Sequence, residues 1–314
     1  MTEIAQVLTR KSAYWAGRSS GCDTSGQEYK LLLNRERQAG SEPVVRHLEG
    51  ETVAVETDGL PARLLSALHA ISVSGPLKLY AGRDHDHQAV FLNLECPASW
   101  HVLIQGQPGS GKSDTIRNLV TSLALNARQS QIQIMGVDIG GRELGLLESF
   151  PHMLTDLASD IPFSMRLLAW LDEEVTSRIR SGNSWPQLVL VIDDLEHLLV
   201  DNQSAVRDII FRLLVNGRHA GLHIIAALNH SLGTLLGTRA WKLNPAKLKM
   251  PDKKQGRSSA GVQARNVHIV RRGRREYCEA PWMSANDMNI AVRLMNAGWR
   301  INRDKGGTTQ HVLQ

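Results

Sequence analysis

Cysteine is scarce: Cys22, Cys96 and Cys278 stand far apart, with no CxxC and no Cys/His ligand spacing. That argues against a disulfide framework or a structural zinc site, and a reducing cytoplasm fits best. Long apolar runs are missing too. The longest, LVLVI and IIAAL, fall far short of the roughly 20 residues a membrane helix needs. No membrane span is therefore expected, and any membrane association is indirect. The opening MTEIAQVLTRKS has no uninterrupted apolar core, so no secretory signal is expected. Internal repeats, low-complexity tracts and a Ser/His/Asp arrangement are all absent.

What remains is ordinary in bulk. The 314 residues are 42% hydrophobic and 21% charged, enough for one large α/β domain with appendages or two small ones. Net charge is +5 and the pI about 9.2. The excess is local: Arg239 to Arg275 holds twelve Lys/Arg against one acid, Asp252. Such a cluster draws a polyanion by counterion release, or is simply a solvated loop.

Residues 1–55 are polar and mixed. EIAQVLTRKSAYWAG and EYKLLLNRERQ read as short amphipathic helices flanking the loop SSGCDTSGQ, an extension of unknown role. LPARLLSALHAIS has helical spacing, and PLKLYAG and QAVFLNL read as strands around the turn RDHDH. From His101 the pattern is regular: strand HVLIQG, helix SDTIRNLVTSLALNAR, strand IQIMGVD, helix FSMRLLAWLDEEVTSRI, strand QLVLVID, helix AVRDIIFRLLVNGRH, strand LHIIAAL. The continuous apolar strands predict an α/β fold, a mainly parallel sheet covered by helices on both faces. After residue 235 the pattern loosens into a hairpin, RNVHIVRRG with RREYCEAP, and a last helix near ANDMNIAVRLMNAG. The expected division is an extension over 1–55, an α/β core with its strand lead-in over 56–240, and a basic segment over 241–314 completing it.

GQPGSGKS, Gly106 to Ser113, matches GxxxxGK[ST] and lies between a strand and a helix, the context this phosphate loop requires. Glycines let successive N–H groups curl around phosphate oxygens at a helix N-terminus. The candidate nucleotide-binding run is Gly106, Gln107, Pro108, Gly109, Ser110, Gly111, Lys112, Ser113 and Asp114. Lys112 is expected at the β- and γ-phosphates and the Ser113 hydroxyl on Mg²⁺. QLVLVIDD then reads as the acidic strand tip of such a site, with Asp193 on the metal. The next carboxylate commonly polarises the attacking water and is commonly Glu. Here it is Asp194, shorter by one C–C bond of about 1.5 Å, and a misplacement near 1 Å costs on the order of 100-fold in rate. Slow turnover is one expectation. Asp194 also reads as the cap of the following helix, and Glu196 is a second candidate carboxylate. At the tip of IIAALNHS, Asn229 suits a γ-phosphate sensor because its amide both donates and accepts; an ordinary strand-ending turn is the other reading.

These residues together resemble the FtsK/SpoIIIE branch of the HerA–FtsK superfamily of RecA-like motor ATPases, over about Leu77 to Leu232. The likeness rests on LKLYAGRDHDHQAVFLNL, SWHVLIQGQPGSGKS, the segment from Asp138 through Pro151 and His152, LVLVIDDLEHL, and NGRHAGLHIIAALNHS. It implies Asp193 and Asp194 in the Walker B role, Asn229 where Gln is more usual, and Arg218 as an arginine reaching a neighbouring subunit's nucleotide. A permanently charged fork suits that task; a surface arginine in a turn is the plain alternative. The family's lysine two positions after Asp138 is Gly140 here, and the longer segment that precedes Walker B in DNA translocases is absent. The spelling DIGG…LGLLESFPH is closer to type VII secretion ATPase modules such as EccC.

RDHDH invites a metal reading through His85 and His87, but a surface turn is the stronger one. Trp241 and Trp282, near the basic tract, are candidates to stack on bases, although packing roles suit most of the seven tryptophans. The resemblance implies an ATP- and Mg²⁺-dependent translocase acting on duplex DNA as a ring homo-oligomer, a hexamer, in the cytoplasm. Two alternatives stay open: a type VII-like protein-transport module, and a weakly hydrolysing nucleotide-gated assembly protein.

Overall fold

The computed structural model describes residues 44–46, 54–56 and 63–298, apart from 72, 74, 140–142, 200–202, 237–244 and 252–264. The helices expected within residues 1–55, Trp241 and Gly140 lie outside the described residues. Strands β1 (Val44–Arg46) and β2 (Ala54–Glu56) form a short antiparallel ladder. Helix α1 (Leu64–Ala70) then leads into the hairpin β3 (Lys78–Arg83) and β4 (Ala89–Asn93). The turn between them is built by Asp84, whose Oδ1 accepts the N–H groups of Asp86 at 2.9 Å and Gln88 at 2.8 Å. His85 stacks on Tyr277 with ring centres 3.7 Å apart, so the RDHDH stretch has structural work there.

Next come β5 (Val102–Gln105), α2 (Lys112–Asn126), β6 (Ile132–Asp138), α3 (Ile161–Ser181), β7 (Gln187–Asp193), α4 (Leu195–Leu198), α5 (Gln203–Ala220) and β8 (Leu222–Leu228). The chain ends its described part with α6 (Leu232–Leu236), β9 (Ala246–Lys249), β10 (Arg265–Arg271), β11 (Arg274–Ala280) and α7 (Ala285–Asn296). Helix ends carry local signals. Asp160 caps α3 by accepting from Phe163 N at 2.7 Å, and Gly182, with φ of 70°, ends it. Ser284 and Asp287 form a capping box on α7, and Asp287 also receives Arg63 at 3.0 and 2.5 Å, tying the lead-in to this last helix.

Nine strands form one sheet in the order β4-β3-β11-β10-β9-β5-β8-β7-β6. From β9 to β6 every pairing is parallel; from β4 to β9 every pairing is antiparallel. The parallel part matches the sequence expectation, and its strands β7 and β8 are buried at every position because helices cover both faces. The antiparallel part arises because the C-terminal strands insert between the lead-in hairpin and β5. Strand β9 was not foreseen: its AKLK has no apolar run, and its pairing with β5 and β10 defines it. One core, including Leu119, Leu123, Ile104 and Leu294, lies on the α2 and α7 face; the other, including Leu168, Leu171, Leu190 and Leu213, lies under α3 and α5.

Parallel strands end on one edge, so Gln105, Asp138, Asp193 and Leu228 terminate side by side, with Asp138 directly paired to Asp193. The loops after these tips share one crevice, the usual place for a ligand in such a sheet.

Candidate nucleotide site

The loop 106–111 turns out of β5 through two left-handed glycines, Gly109 at φ 76° and Gly111 at φ 93°. Gln107, Pro108 and Gly109 are exposed, whereas Ser110 and Lys112 are buried. Lys112 Nζ donates to Gly106 O at 3.0 Å and Gln107 O at 3.2 Å, folding its ammonium back into the curl. It also donates to Asn229 Oδ1 at 2.7 Å. Asn229 in turn donates through Nδ2 to Asp194 Oδ2 at 2.5 Å. The strand order explains this link, since β8 lies between β5 and β7 and carries Asn229 to a point between Lys112 and Asp194.

Asp193 is buried beside Ser113, Asp138, Glu143 and Lys112. Burial raises its pKa, the Ser113 hydroxyl opposes that rise, and the Asp138 and Glu143 carboxylates add to it. Its Oδ2 has no hydrogen-bond partner among the described residues. A buried, unpartnered carboxylate oxygen beside the Ser113 hydroxyl suits a hard cation such as Mg²⁺, with Asp193 and Ser113 as the donors; no group of three acids or histidines is gathered as a cation cage among the described residues. Asp138 Oδ2 is already used, accepting Glu143 N at 2.9 Å and Leu144 N at 2.7 Å.

Asp194 precedes the short helix α4 and caps it, accepting Glu196 N on Oδ1 at 3.0 Å. The capping reading of the sequence is therefore realised, and Asp194 holds Asn229 as well. Burial, then the neighbouring Glu196 carboxyl, pushes the Asp194 pKa up to about 7. For Glu196, burial acts upward but is outweighed by Asp194 and by the N–H groups of His230 and Asn229, so its pKa falls. Glu196 Oε1 accepts Asn229 N at 2.7 Å and His230 N at 2.8 Å, while Oε2 is buried without a partner among the described residues.

Asp114, in the first turn of α2, pairs with Arg117 and with Arg265 at 2.5 Å. Arg265 also donates to Gly111 O at 3.1 Å. The motif gave no signal for Arg265, which comes from β10, 154 residues beyond Gly111. Two cations of the basic tract are thus engaged within the fold, Arg265 with Asp114 and Arg271 with Glu276. Trp282 likewise has Arg63 over its ring at 5.4 Å.

Arg218 does not join this cluster. It lies in the last turn of α5, at the N-terminal edge of β8, with its guanidinium 6.0 Å from the Trp100 ring centre. Seven strand residues separate that edge from Asn229, roughly 20 Å at the usual rise per residue. Trp100 is itself fixed, donating to Leu222 O at 2.8 Å and lying 4.4 Å from the His223 ring.

The FtsK/SpoIIIE family model matches residues 72–183. A DNA translocase FtsK of Lactiplantibacillus plantarum is 32% identical over 178 residues, 48% of this chain and 22% of that protein. One from Caldanaerobacter subterraneus subsp. tengcongensis is 31% identical over 144 residues, 40% of this chain and 20% of that protein. The chain thus covers about a fifth of the length of these curated relatives. Among solved structures, the pCW3 conjugation coupling protein TcpA superposes with a TM-score of 0.56 at 14% identity, covering 87% of this chain and 99% of that chain. The cytoplasmic domain of the Thermomonospora curvata type VII secretion ATPase EccC gives 0.55 at 21% identity, covering 72% of this chain and 28% of that one. At such identities these structures speak for the fold alone. Taken with the strand-tip geometry, the matches make residues 72–183 an FtsK/SpoIIIE-like segment within a RecA-like P-loop ATPase fold.

Proposed function

We propose that this chain binds and hydrolyses Mg·ATP between neighbouring copies in a ring, a hexamer, and uses the cycle to move duplex DNA in the cytoplasm. One observation carries the reading: Lys112 of the phosphate loop, Asn229 of the β8 tip and Asp194 of the β7 tip form one hydrogen-bonded chain at 2.7 and 2.5 Å. A loop that merely turns has no need to bring its lysine to an acidic strand tip. Gly106 to Asp114 would hold the phosphates, and Ser113 and Asp193 the magnesium, which supplies charge neutralisation at the transferring phosphoryl group. Asn229 links occupancy of the lysine to the strand-tip carboxylates, as a sensor would. With Lys112 and Asp194 tied to Asn229 at rest, basal turnover is slow. Arg218, on the edge away from its own crevice, serves a neighbour's nucleotide. DNA as the moved polymer is supported by the DNA translocase relatives and by the basic excess.

The test is steady-state ATP hydrolysis with and without duplex DNA at two salt concentrations. Stimulation by DNA that weakens steeply with salt is expected, and is lost in Lys112→Ala. A steady rate indifferent to DNA at both salts overturns the DNA reading and turns it to protein transport; a near-zero rate with intact Mg·ATP binding turns it to nucleotide-gated assembly.

A further inference from the structure

We propose that Glu196, two positions beyond the strand-tip pair, is the carboxylate that polarises the attacking water. The inference rests on the nucleotide-hydrolysing reading above and deepens it. Asp194 has both oxygens committed, Oδ1 to Glu196 N at 3.0 Å and Oδ2 to Asn229 Nδ2 at 2.5 Å, and its raised pKa makes it the proton-holding member of the Asp194–Glu196 carboxyl contact, with Glu196 as the ionised one. It is also one C–C bond shorter than Glu. Glu196 is arranged differently. Its Oε1 is fixed by two backbone donors, Asn229 N at 2.7 Å and His230 N at 2.8 Å, and the ring Nδ1 of His230 lies 3.5 Å away. That double anchor removes rotamer freedom and leaves Oε2 as the remaining acceptor.

Oε2 is buried and has no hydrogen-bond partner among the described residues. Leaving such an oxygen unsatisfied costs on the order of 1–3 kcal/mol or more, so a bound donor is strongly favoured there. Water fits, because a buried water needs two to four polar partners. Glu196, on α4 but anchored to the β8 tip whose Asn229 touches Lys112, supplies one of them. In this role Glu196 Oε2 takes a proton as the water oxygen bonds to the γ-phosphorus. The bond from that phosphorus to the bridging oxygen breaks, its electron pair leaves with ADP, and the proton passes from Glu196 to solvent or to the departing phosphate. Asp194 is then a positioning residue for Asn229 and α4.

Glu196→Gln tests the assignment, since the amide oxygen can still accept from Asn229 N and His230 N. Two quantities are read on the full chain: Mg·ATPγS affinity by calorimetry, and single-turnover hydrolysis of Mg·ATP. Affinity within about threefold of wild type is expected, with hydrolysis down by on the order of 100-fold or more, the usual contribution of a positioned base. Glu196→Ala gives a second readout, partial recovery of hydrolysis on adding formate, which a purely structural role does not produce. Hydrolysis by Glu196→Gln within about fivefold of wild type, alongside collapse in Asp194→Asn, returns the role to Asp194 and overturns the inference while the hydrolase reading stands. Loss of Mg·ATPγS binding in Glu196→Gln makes Glu196 a scaffold residue and also overturns it. Absence of Mg·ATPγS binding by the wild type sinks both.

Discussion

Gly111→Ala probes the throat of the phosphate loop, and its cost can be worked from the coordinates. Gly111 sits at φ 93°, and a Cβ there would lie 2.0 Å from Arg265 Nη1 and 2.2 Å from its Cζ. Two penalties follow. A left-handed conformation costs a non-glycine residue about 1–2 kcal/mol. The guanidinium must also move, giving up its bond to Gly111 O, worth about 1 kcal/mol, and the partly exposed pair with Asp114, worth about 1 kcal/mol at most. The sum is about 2–4 kcal/mol. Arg265 is the end of a flexible side chain, so the protein remains folded and the loss is measurable by urea unfolding followed by circular dichroism. The decisive comparison is a double-mutant cycle. In an Arg265→Ala background there is no guanidinium to displace, so Gly111→Ala should cost only the backbone strain, about 1–2 kcal/mol. Equal costs in both backgrounds would refute the packing of Arg265 against the loop; no cost in either would refute the left-handed cap as well.

Three further outcomes are expected. Asp193→Asn removes a desolvated carboxylate whose Oδ2 lacks a partner among the described residues, so without metal the variant should be more stable, by on the order of 1 kcal/mol, and lose the added stability that Mg·ATPγS gives the wild type. Asp194 has a folded pKa raised to about 7 against an unfolded value near 4, so the native state holds its proton more tightly. Its contribution is therefore full below about pH 4 and lost as pH rises through 7, and Asp194→Asn should flatten the fall in melting temperature across that window. For Arg218, mixing inactive Arg218→Ala with inactive Lys112→Ala should restore a fraction of ATP hydrolysis, because a shared interface can pair one intact loop with one intact arginine; no recovery argues that Arg218 acts elsewhere.

Much of this was readable from the sequence because it is local. The phosphate loop, the apolar strands and the acid pair are each written in consecutive residues, and phosphate binding at a strand–helix turn imposes its own spacing. The sequence could not order the strands. Asn229 meets Lys112 across 117 positions and Asp194 across 35, and only the placement of β8 between β5 and β7 joins them. Arg265 reaches Gly111 for the same reason, through β10 and β9 beside β5. Glu196 stood in plain view as a second acid, but its double backbone anchor is a tertiary fact, as is the commitment of both Asp194 oxygens. The hairpin near the C-terminus was legible as a hairpin, whereas its insertion beside the lead-in strands was not.

Calorimetric titration of Mg·ATPγS into the wild-type chain and into Lys112→Ala asks most directly whether the curl at Gly106–Lys112 captures a triphosphate. Saturable binding by the wild type, weakened by about tenfold or more when the Lys112 ammonium is removed, is the expected result, about 1.4 kcal/mol or more for a charged contact. Equal affinities for the two proteins, or no binding by either, would contradict it.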